Sequence, residues 1–240
     1  MGGRRLGGRN TGPWPVPPGR RRYGRRGAGP PVLLSRDMEW TTRERRILAA
    51  LKTPAHIQQF LDELEYDETA GAASPRVVMR TGKAQCLSGV LFAAAALREL
   101  GHAPRLMYIE AVTDDGHCLA VYETSGGLWG SIGKSNFTTL RAREPIYPYP
   151  ALGLSYFEGY FNQYGKRTMR SFTVPVELEP FEPRGWRFSE KELLYIDRAI
   201  DKVPKAWTLP RQRAGRLSRV GTLLRTAGLL GSRPEGLWTR

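Results

Sequence analysis

The chain has 240 residues, and its 37 Lys and Arg residues exceed its 23 Asp and Glu residues to give a formal net charge of +14. A charge of this size is typical of proteins that bind nucleic acids or anionic membranes. The excess lies at the two ends, because residues 1–31 carry +8, residues 203–240 carry +7 and residues 32–202 carry −1. We therefore expect no specific nucleic-acid partner and only weak contact of the ends with anionic surfaces.

The composition also argues against a membrane-spanning or disulfide-stabilised protein. The longest apolar run, residues 90–97, is far shorter than the roughly 20 residues that cross a bilayer. The N-terminus lacks the continuous apolar stretch of a secretory signal, and the two cysteines, Cys86 and Cys118, are too few for a disulfide scaffold. These features predict a cytoplasmic protein with free thiols.

Three segments follow from the distribution of charge and apolar residues. Residues 1–37 are rich in Arg, Gly and Pro and cannot bury enough apolar surface to fold. This segment is a disordered tail, an RNA-binding arm, or a wrongly assigned extension of a protein that starts at Met38. Residues 38–202 have the composition of one domain, and residues 203–240 form a basic tail with a possible amphipathic helix at 213–230.

The pattern after Met38 predicts an α+β domain. Thr41 or Thr42 caps a helix over 43–51, and Thr53 followed by Pro54 starts a second one. Residues 76–79 are expected to be extended or a single turn. The segment 84–100 is apolar on nearly every side, which predicts a buried helix.

Three strands, at 105–112, 117–123 and 128–132, are separated by turn residues and predict an antiparallel meander. A helix at 156–164, an extended stretch at 171–178 and a helix at 189–202 complete the domain. Ser189 and Glu192 have the spacing of a capping box. The aromatic residues between 147 and 164 form either a second small core or an apolar substrate groove.

Cys86 and His117 are the residues most suited to catalysis. Cys86 falls in the first turn of the buried helix, where free N–H groups and the helix dipole favour a thiolate and a developing oxyanion. His117 begins the second predicted strand, directly after a turn. A thiolate–imidazole pair is the minimum for nucleophilic catalysis by cysteine, whereas the alternative is a core cysteine and a structural histidine.

The order of several short motifs resembles the transglutaminase-like superfamily. The resemblance covers residues 75–137 and rests on Gly82-x-x-x-Cys86, the Ala/Leu-rich helix, the run Leu100-Gly101-His102-Ala103-Pro104-Arg105, the motif His117-x-x-Ala120-Val121-Tyr122, and Trp129. The wider stretch 38–202 is similar to a group of bacterial transglutaminase-like proteins, with recognisable pieces at 130–137 and 154–157.

This resemblance implies a papain-type core in which Cys86 is the nucleophile and His117 the general base. The superfamily commonly has an Asp four residues after the strand Trp, and Gly133 occupies that position here. Asn136 is the nearest residue able to orient the imidazole, as Asn does in papain-like proteases. Asp115 is a second candidate, although it is only two residues from His117.

The function implied is cysteine-dependent acyl transfer on a peptide or protein, with hydrolysis favoured over cross-linking. Gln85 either donates to the oxyanion or caps the helix. We expect neither a cofactor nor a metal, because the His and Cys residues lack the spacing of a zinc site. The alternative is an inactive fold of the same type that binds a peptide or protein, and the sequence leaves the oligomeric state open.

Overall fold

The structure of the protein is a computed structural model that describes residues 38–67 and 71–239. The predictions for the N-terminal tail, residues 1–37, therefore lie outside the described residues. Within the described part, helices combine with one large antiparallel sheet, which confirms the α+β class. No helix in this part is long and apolar enough to cross a membrane.

Four helices precede the main sheet: α1 (Thr42–Ala50), α2 (Pro54–Glu63), α3 (Pro75–Thr81) and α4 (Cys86–Glu99). The side chain of Thr41 accepts a hydrogen bond from the N–H of Glu44, and Thr53 does the same for His56, so both predicted caps are confirmed. The segment 76–79 belongs to a helix of two turns, because Ser74 caps α3 and Pro75 occupies its first position.

The strands are β1 (Glu65–Tyr66), β2 (Lys83–Ala84), β3 (Arg105–Ala111), β4 (His117–Glu123), β5 (Trp129–Ile132), β6 (Arg143–Tyr147), β7 (Met169–Thr173), β8 (Val176–Glu177) and β9 (Lys205–Thr208). The short strands β1 and β2 pair in parallel. The main sheet has the order β6-β5-β4-β3-β7-β9, with β8 also paired to β3, and all its pairs are antiparallel. The predicted meander is confirmed as β3-β4-β5.

Two hydrophobic cores cover the two faces of this sheet. Side chains alternate between faces along a strand, so Cys118 and Ala120 of β4 contact the core around α4, whereas Leu119 and Val121 contact the other core. Every residue from 87 to 97 of α4 is buried. The second core contains most of the aromatic residues between 147 and 164, and two of them, Tyr160 and Phe161, also line the cavity described below.

Two predicted helices differ from the structure. In place of a helix at 156–164, α5 spans Tyr149–Leu154 and a 3-10 turn spans Phe157–Gly159, because Pro148 and Pro150 set the helix start earlier in the chain. Helix α6 covers only Leu194–Ile200. The predicted capping box is wrong, since the Ser189 hydroxyl accepts from the N–H of Lys191 in a local turn.

The packed structure does not end at residue 202, where the sequence placed the domain boundary. Strand β9 pairs with β7, and Trp207 stacks on Phe172 with ring centroids 5.9 Å apart. Two short helices follow, α7 (Arg211–Ala214) and α8 (Thr222–Gly228), and Val220 between them is buried in the second core. Residues 203–240 have many basic and few apolar residues, so the sequence did not indicate that this segment packs against the sheet.

Buried polar side chains fix the chain that follows β5. The side-chain amide of Gln58 on α2 pairs with the backbone of Gly133, accepting from its N–H at 3.1 Å and donating to its carbonyl at 3.0 Å. Lys134 is 4% exposed, and its ammonium donates to the carbonyls of Leu61 and Leu64 at the end of α2. Burial lowers the pKa of Lys134 to about 8. Hydrogen bonds of the Gln58 and Lys134 side chains therefore hold residues 133–134 against α2.

Replacing Lys134 with Met keeps the apolar stem but removes the charged donor from the buried carbonyl of Leu61 and the partly buried carbonyl of Leu64. We expect the free energy of unfolding to fall by about 1–3 kcal/mol, because both carbonyls lose a charged donor and only that of Leu61 keeps another one, the N–H of Leu64. Urea unfolding monitored by circular dichroism measures the change, with the exposed Lys52→Met as the control. Equal midpoints for the two variants would show that the ammonium does not stabilise this end of α2.

Candidate active site

The turn that leads into β4 is held in one conformation by side chains of the second core. Thr113 has φ 58°, a left-handed conformation that is unusual for a β-branched residue. The hydroxyl of Thr168 donates to Asp114 Oδ2 at 2.6 Å, and the hydroxyl of Tyr160 donates to the carbonyl of Asp115 at 2.7 Å. These contacts fix the position from which the first residue of β4 projects.

Cys86 and His117 line the same cavity, which has a volume of about 460 Å³. Cys86 comes from the first position of α4 and His117 from the first position of β4. The described residues lining the cavity include the carboxylates of Asp114, Asp115 and Glu235 but no Lys or Arg. The chain thus brings its two predicted catalytic residues to one acidic cavity in a protein of net positive charge.

A backbone carbonyl orients the imidazole of His117. The ring is 4% exposed, and its Nε2 lies 3.0 Å from the carbonyl oxygen of Leu140. A carbonyl oxygen can only accept, so Nε2 carries the hydrogen and Nδ1 remains an acceptor in the neutral ring. Burial lowers the pKa of His117 to about 4, although the hydrogen bond to Leu140 opposes this shift. The imidazole is therefore neutral at neutral pH.

Gly133 occupies the position where the resemblance predicts an Asp, and its lack of a side chain leaves room for this arrangement. A Cβ atom added there would lie 2.9 Å from the carbonyl oxygen of Leu140 and 3.3 Å from Nε2 of His117. Such contacts are too close for a side chain without movement of the backbone around Leu140. The Leu140 carbonyl thus occupies the place beside the imidazole that a side chain from position 133 would need.

The thiol of Cys86 is protonated at neutral pH, contrary to the expectation of a lowered pKa at the helix N-terminus. Burial raises its pKa to about 11. The backbone N–H groups of Cys118 and Leu87 lower it by less, and the charge of Asp115 raises it further. Desolvation therefore outweighs the N–H groups at the start of α4.

Gln85 caps α4, so the helix-cap interpretation of this residue is the one supported. Its Oε1 accepts from the N–H of Leu87 at 2.7 Å, and its Nε2 donates to the carbonyl of Gly71 at 3.3 Å. Its backbone N–H also donates to the hydroxyl of Ser88, which completes a capping box. The amide that was considered as an oxyanion donor is engaged in holding the helix start.

Asn136 does not orient His117, which corrects the prediction that it is the third catalytic residue. Its Nδ2 donates to the carbonyl of Arg233, and its Oδ1 accepts from the N–H of the same residue, both at 2.8 Å. Asp115 lines the cavity, and burial raises the pKa of its carboxyl group. The hydrogen bond of the His117 ring goes to Leu140, so Asp115 does not fill the orienting position either.

Two features of the cavity had no counterpart in the sequence analysis. A backbone carbonyl has no residue signature, and Leu140 is an ordinary apolar residue in the sequence, so its contact with His117 was not predictable. Residues 235–239 form part of the cavity lining although they lie in the predicted tail. The one signal in the sequence was Gly133, because a residue without a side chain at that position cannot itself be the acceptor for the imidazole. Cys118 is buried in the core around α4.

Gly133→Ala tests the role of the Leu140 carbonyl. The added methyl group would press on that carbonyl and on Leu119, 2.8 Å away, so we expect a loss of about 1–3 kcal/mol of stability. We also expect a smaller population of the Nε2–H tautomer of His117, which ¹⁵N NMR of the imidazole measures. Gly126→Ala is the control, because its nearest contact is 3.8 Å away. An unchanged tautomer population in Gly133→Ala contradicts this role.

His117 also gives a prediction for the pH dependence of stability. The pKa of His117 is lowered from 6.5 to about 4 in the folded protein, so between these pH values only the unfolded state gains the proton. The free energy of unfolding should therefore fall as the pH drops through this window, by about 3 kcal/mol in total.

The measurement is urea unfolding of the wild type and His117→Gln from pH 7 to pH 4. The difference between the two proteins isolates the histidine, because Asp114, whose pKa is raised to about 6 mainly by burial, acts with the opposite sign in the same window. Parallel pH profiles for the two proteins would contradict a buried neutral His117.

Comparison with known proteins assigns neither a family nor a function to this chain. The sequence matches no protein-family model and no curated protein at a significant level. The likeness to transglutaminase-like proteins therefore rests on the motifs quoted above.

Proposed function

We propose that the protein is a cysteine-dependent acyl-transfer enzyme with a transglutaminase-like, papain-type core. The observation that carries the proposal is the meeting of Cys86 and His117 in one cavity, with Nε2 of the imidazole held by the Leu140 carbonyl. A buried helix that begins at the cysteine and a following antiparallel strand that begins at the histidine support this core.

The protonation states define the chemical step. The thiol and the imidazole are both neutral at rest, so Cys86 must lose its proton to Nδ1 of His117 as Sγ attacks the carbonyl carbon of an amide. The C–N bond then breaks, the amine leaves with the proton from Nδ1, and a thioester remains on Cys86. Water then attacks the thioester and gives its proton to Nδ1, the C–S bond breaks to release the acid, and Nδ1 returns the proton to Sγ.

Hydrolysis of a peptide or amide fits this site better than cross-linking. The Leu140 carbonyl can accept a hydrogen bond from the imidazolium, as an oxygen of Asp does in serine proteases and of Asn in papain-like proteases. Unlike the Asp carboxylate, this carbonyl carries no full charge. A peptidase or amidase needs only water as the second substrate. Transfer to an amine requires an additional amine site, for which the described contacts provide no specific evidence.

A binding module without catalysis is the alternative, and the pKa values favour it. Burial keeps the thiol of Cys86 protonated, with a pKa of about 11, and keeps His117 a weak base, with a pKa of about 4. In that case the cavity would hold a peptide or protein segment without forming a thioester. The two functions differ in one observable, a covalent acyl group on Cys86.

The test is acyl transfer from p-nitrophenyl acetate at neutral pH. We expect release of nitrophenol and an acetyl group on Cys86, detected by mass spectrometry of the intact protein and its peptides. Cys86→Ala should abolish both signals, and His117→Gln should slow acylation by roughly 10²–10⁴-fold, the usual range for a general base.

Cys118→Ala is the matched control, because this second thiol is buried in the core around α4. Its acylation rate should equal that of the wild type. Absence of acetyl-Cys86, with wild type and Cys86→Ala releasing nitrophenol equally, would reject the enzyme and leave the binding module.

A further inference from the structure

The last part of the described chain forms a wall of the candidate active site. Residues 235–239 line the same cavity as Cys86 and His117. We refer to residues 233–239 as the C-terminal strap. The strap contains one 3-10 turn, Pro234–Gly236, and none of its residues is buried.

Its main attachment is the side chain of Asn136. The amide of Asn136 forms two hydrogen bonds with the backbone of Arg233, one to the carbonyl and one from the N–H, both at 2.8 Å. This pattern is the one that a neighbouring strand would provide. Asn136 follows Gly133 and Lys134, which are held by α2, so the strap is attached to a rigid part of the site.

Leu237 also packs, partly buried, against the second core, whereas two polar contacts of the strap are weak or incomplete. The side chain of Arg233 forms an exposed ion pair with Glu65 at 3.1 Å, a type of contact that contributes little. Gln163 donates to the carbonyl of Trp238, but its own Oε1 is buried without a hydrogen-bond partner. A segment without a fully buried residue, next to an unsatisfied polar group, opens locally more readily than the core does.

We propose that the C-terminal strap is a movable wall that sets the size of the acyl donor reaching Cys86, and that Asn136 holds it closed. In the closed state the cavity of about 460 Å³ admits a small group. Opening of the strap removes one wall of the cavity and admits a larger donor, such as a segment of another protein. This inference rests on the proposed function for its biological meaning, but access to the thiol is measured without any catalysis.

The experiment compares alkylation of Cys86 by a small reagent, N-ethylmaleimide, and a large one, N-(1-pyrenyl)maleimide. Peptide mass spectrometry assigns each product to Cys86 or Cys118. In the wild type we expect the large reagent to react much more slowly at Cys86 than the small one. Asn136→Ala should raise the ratio of large to small rates by about tenfold, the population shift expected from two lost hydrogen bonds.

Two further variants locate the effect. Arg233→Ala keeps the backbone hydrogen bonds with Asn136 and should change the ratio by less than about twofold, because only an exposed ion pair is lost. Arg80→Ala is the matched control, since it removes an exposed ion pair with Glu190 that does not involve the strap. Hydrogen exchange should become faster in peptides from 233–239 of Asn136→Ala but remain unchanged in α4.

If Asn136→Ala does not fold, Asn136→Asp replaces it, because Asp keeps the acceptor for the Arg233 N–H but opposes the Arg233 carbonyl. An unchanged ratio in the variant, or an equal rise for both reagents, would overturn the gating. The proposed function is tested separately, by acetylation of Cys86. The gating proposal can therefore be rejected while the proposed enzyme function is retained, and the enzyme function can be rejected while the gating is retained.

Discussion

Helix α4 has no solvent-facing side between residues 87 and 97, because every side chain there is buried. A helix of this kind must be covered on all sides, and the elements that cover it include α2, α3 and the β3–β4 part of the sheet. Its N-terminus is therefore fixed beside the start of β4, which places Cys86 and His117 at one cavity. The positions of both residues follow from the packing of α4 against β4, and desolvation of Cys86 at this place raises the pKa of its thiol.

A backbone carbonyl and a carboxylate orient an imidazole in different ways. Both select the Nε2–H tautomer of His117, since both only accept. The Leu140 carbonyl has no net charge, so it stabilises an imidazolium less than a carboxylate would, and its position depends on the conformation of the chain around residue 140. The Gln58 and Lys134 contacts hold the neighbouring segment 133–134 against α2. Orientation of the imidazole is thus a property of backbone packing.

The sequence predicted those features that depend on local chemistry. Thr41 and Thr53 cap their helices as expected, the apolar pattern located α4, and turn residues separated β3, β4 and β5. Ser189 has the same cap signal but forms a local turn, because its hydroxyl accepts from the nearby N–H of Lys191. Asn136 and Leu140 depend on contacts with distant segments, Arg233 and His117, whose proximity no local pattern encodes. The packing of residues 203–239 was missed for the same reason.

The close approach of Leu140 to Gly133 restricts how this site could change by mutation. An Asp at position 133 and a carbonyl at residue 140 compete for the same volume next to Nε2 of His117. A single substitution at 133 would introduce the carboxylate before the backbone has moved, so the intermediate sequence would lose the existing acceptor without placing the new one. Support of His117 by a carboxylate at position 133 therefore requires changes in the 138–140 turn as well as the substitution itself.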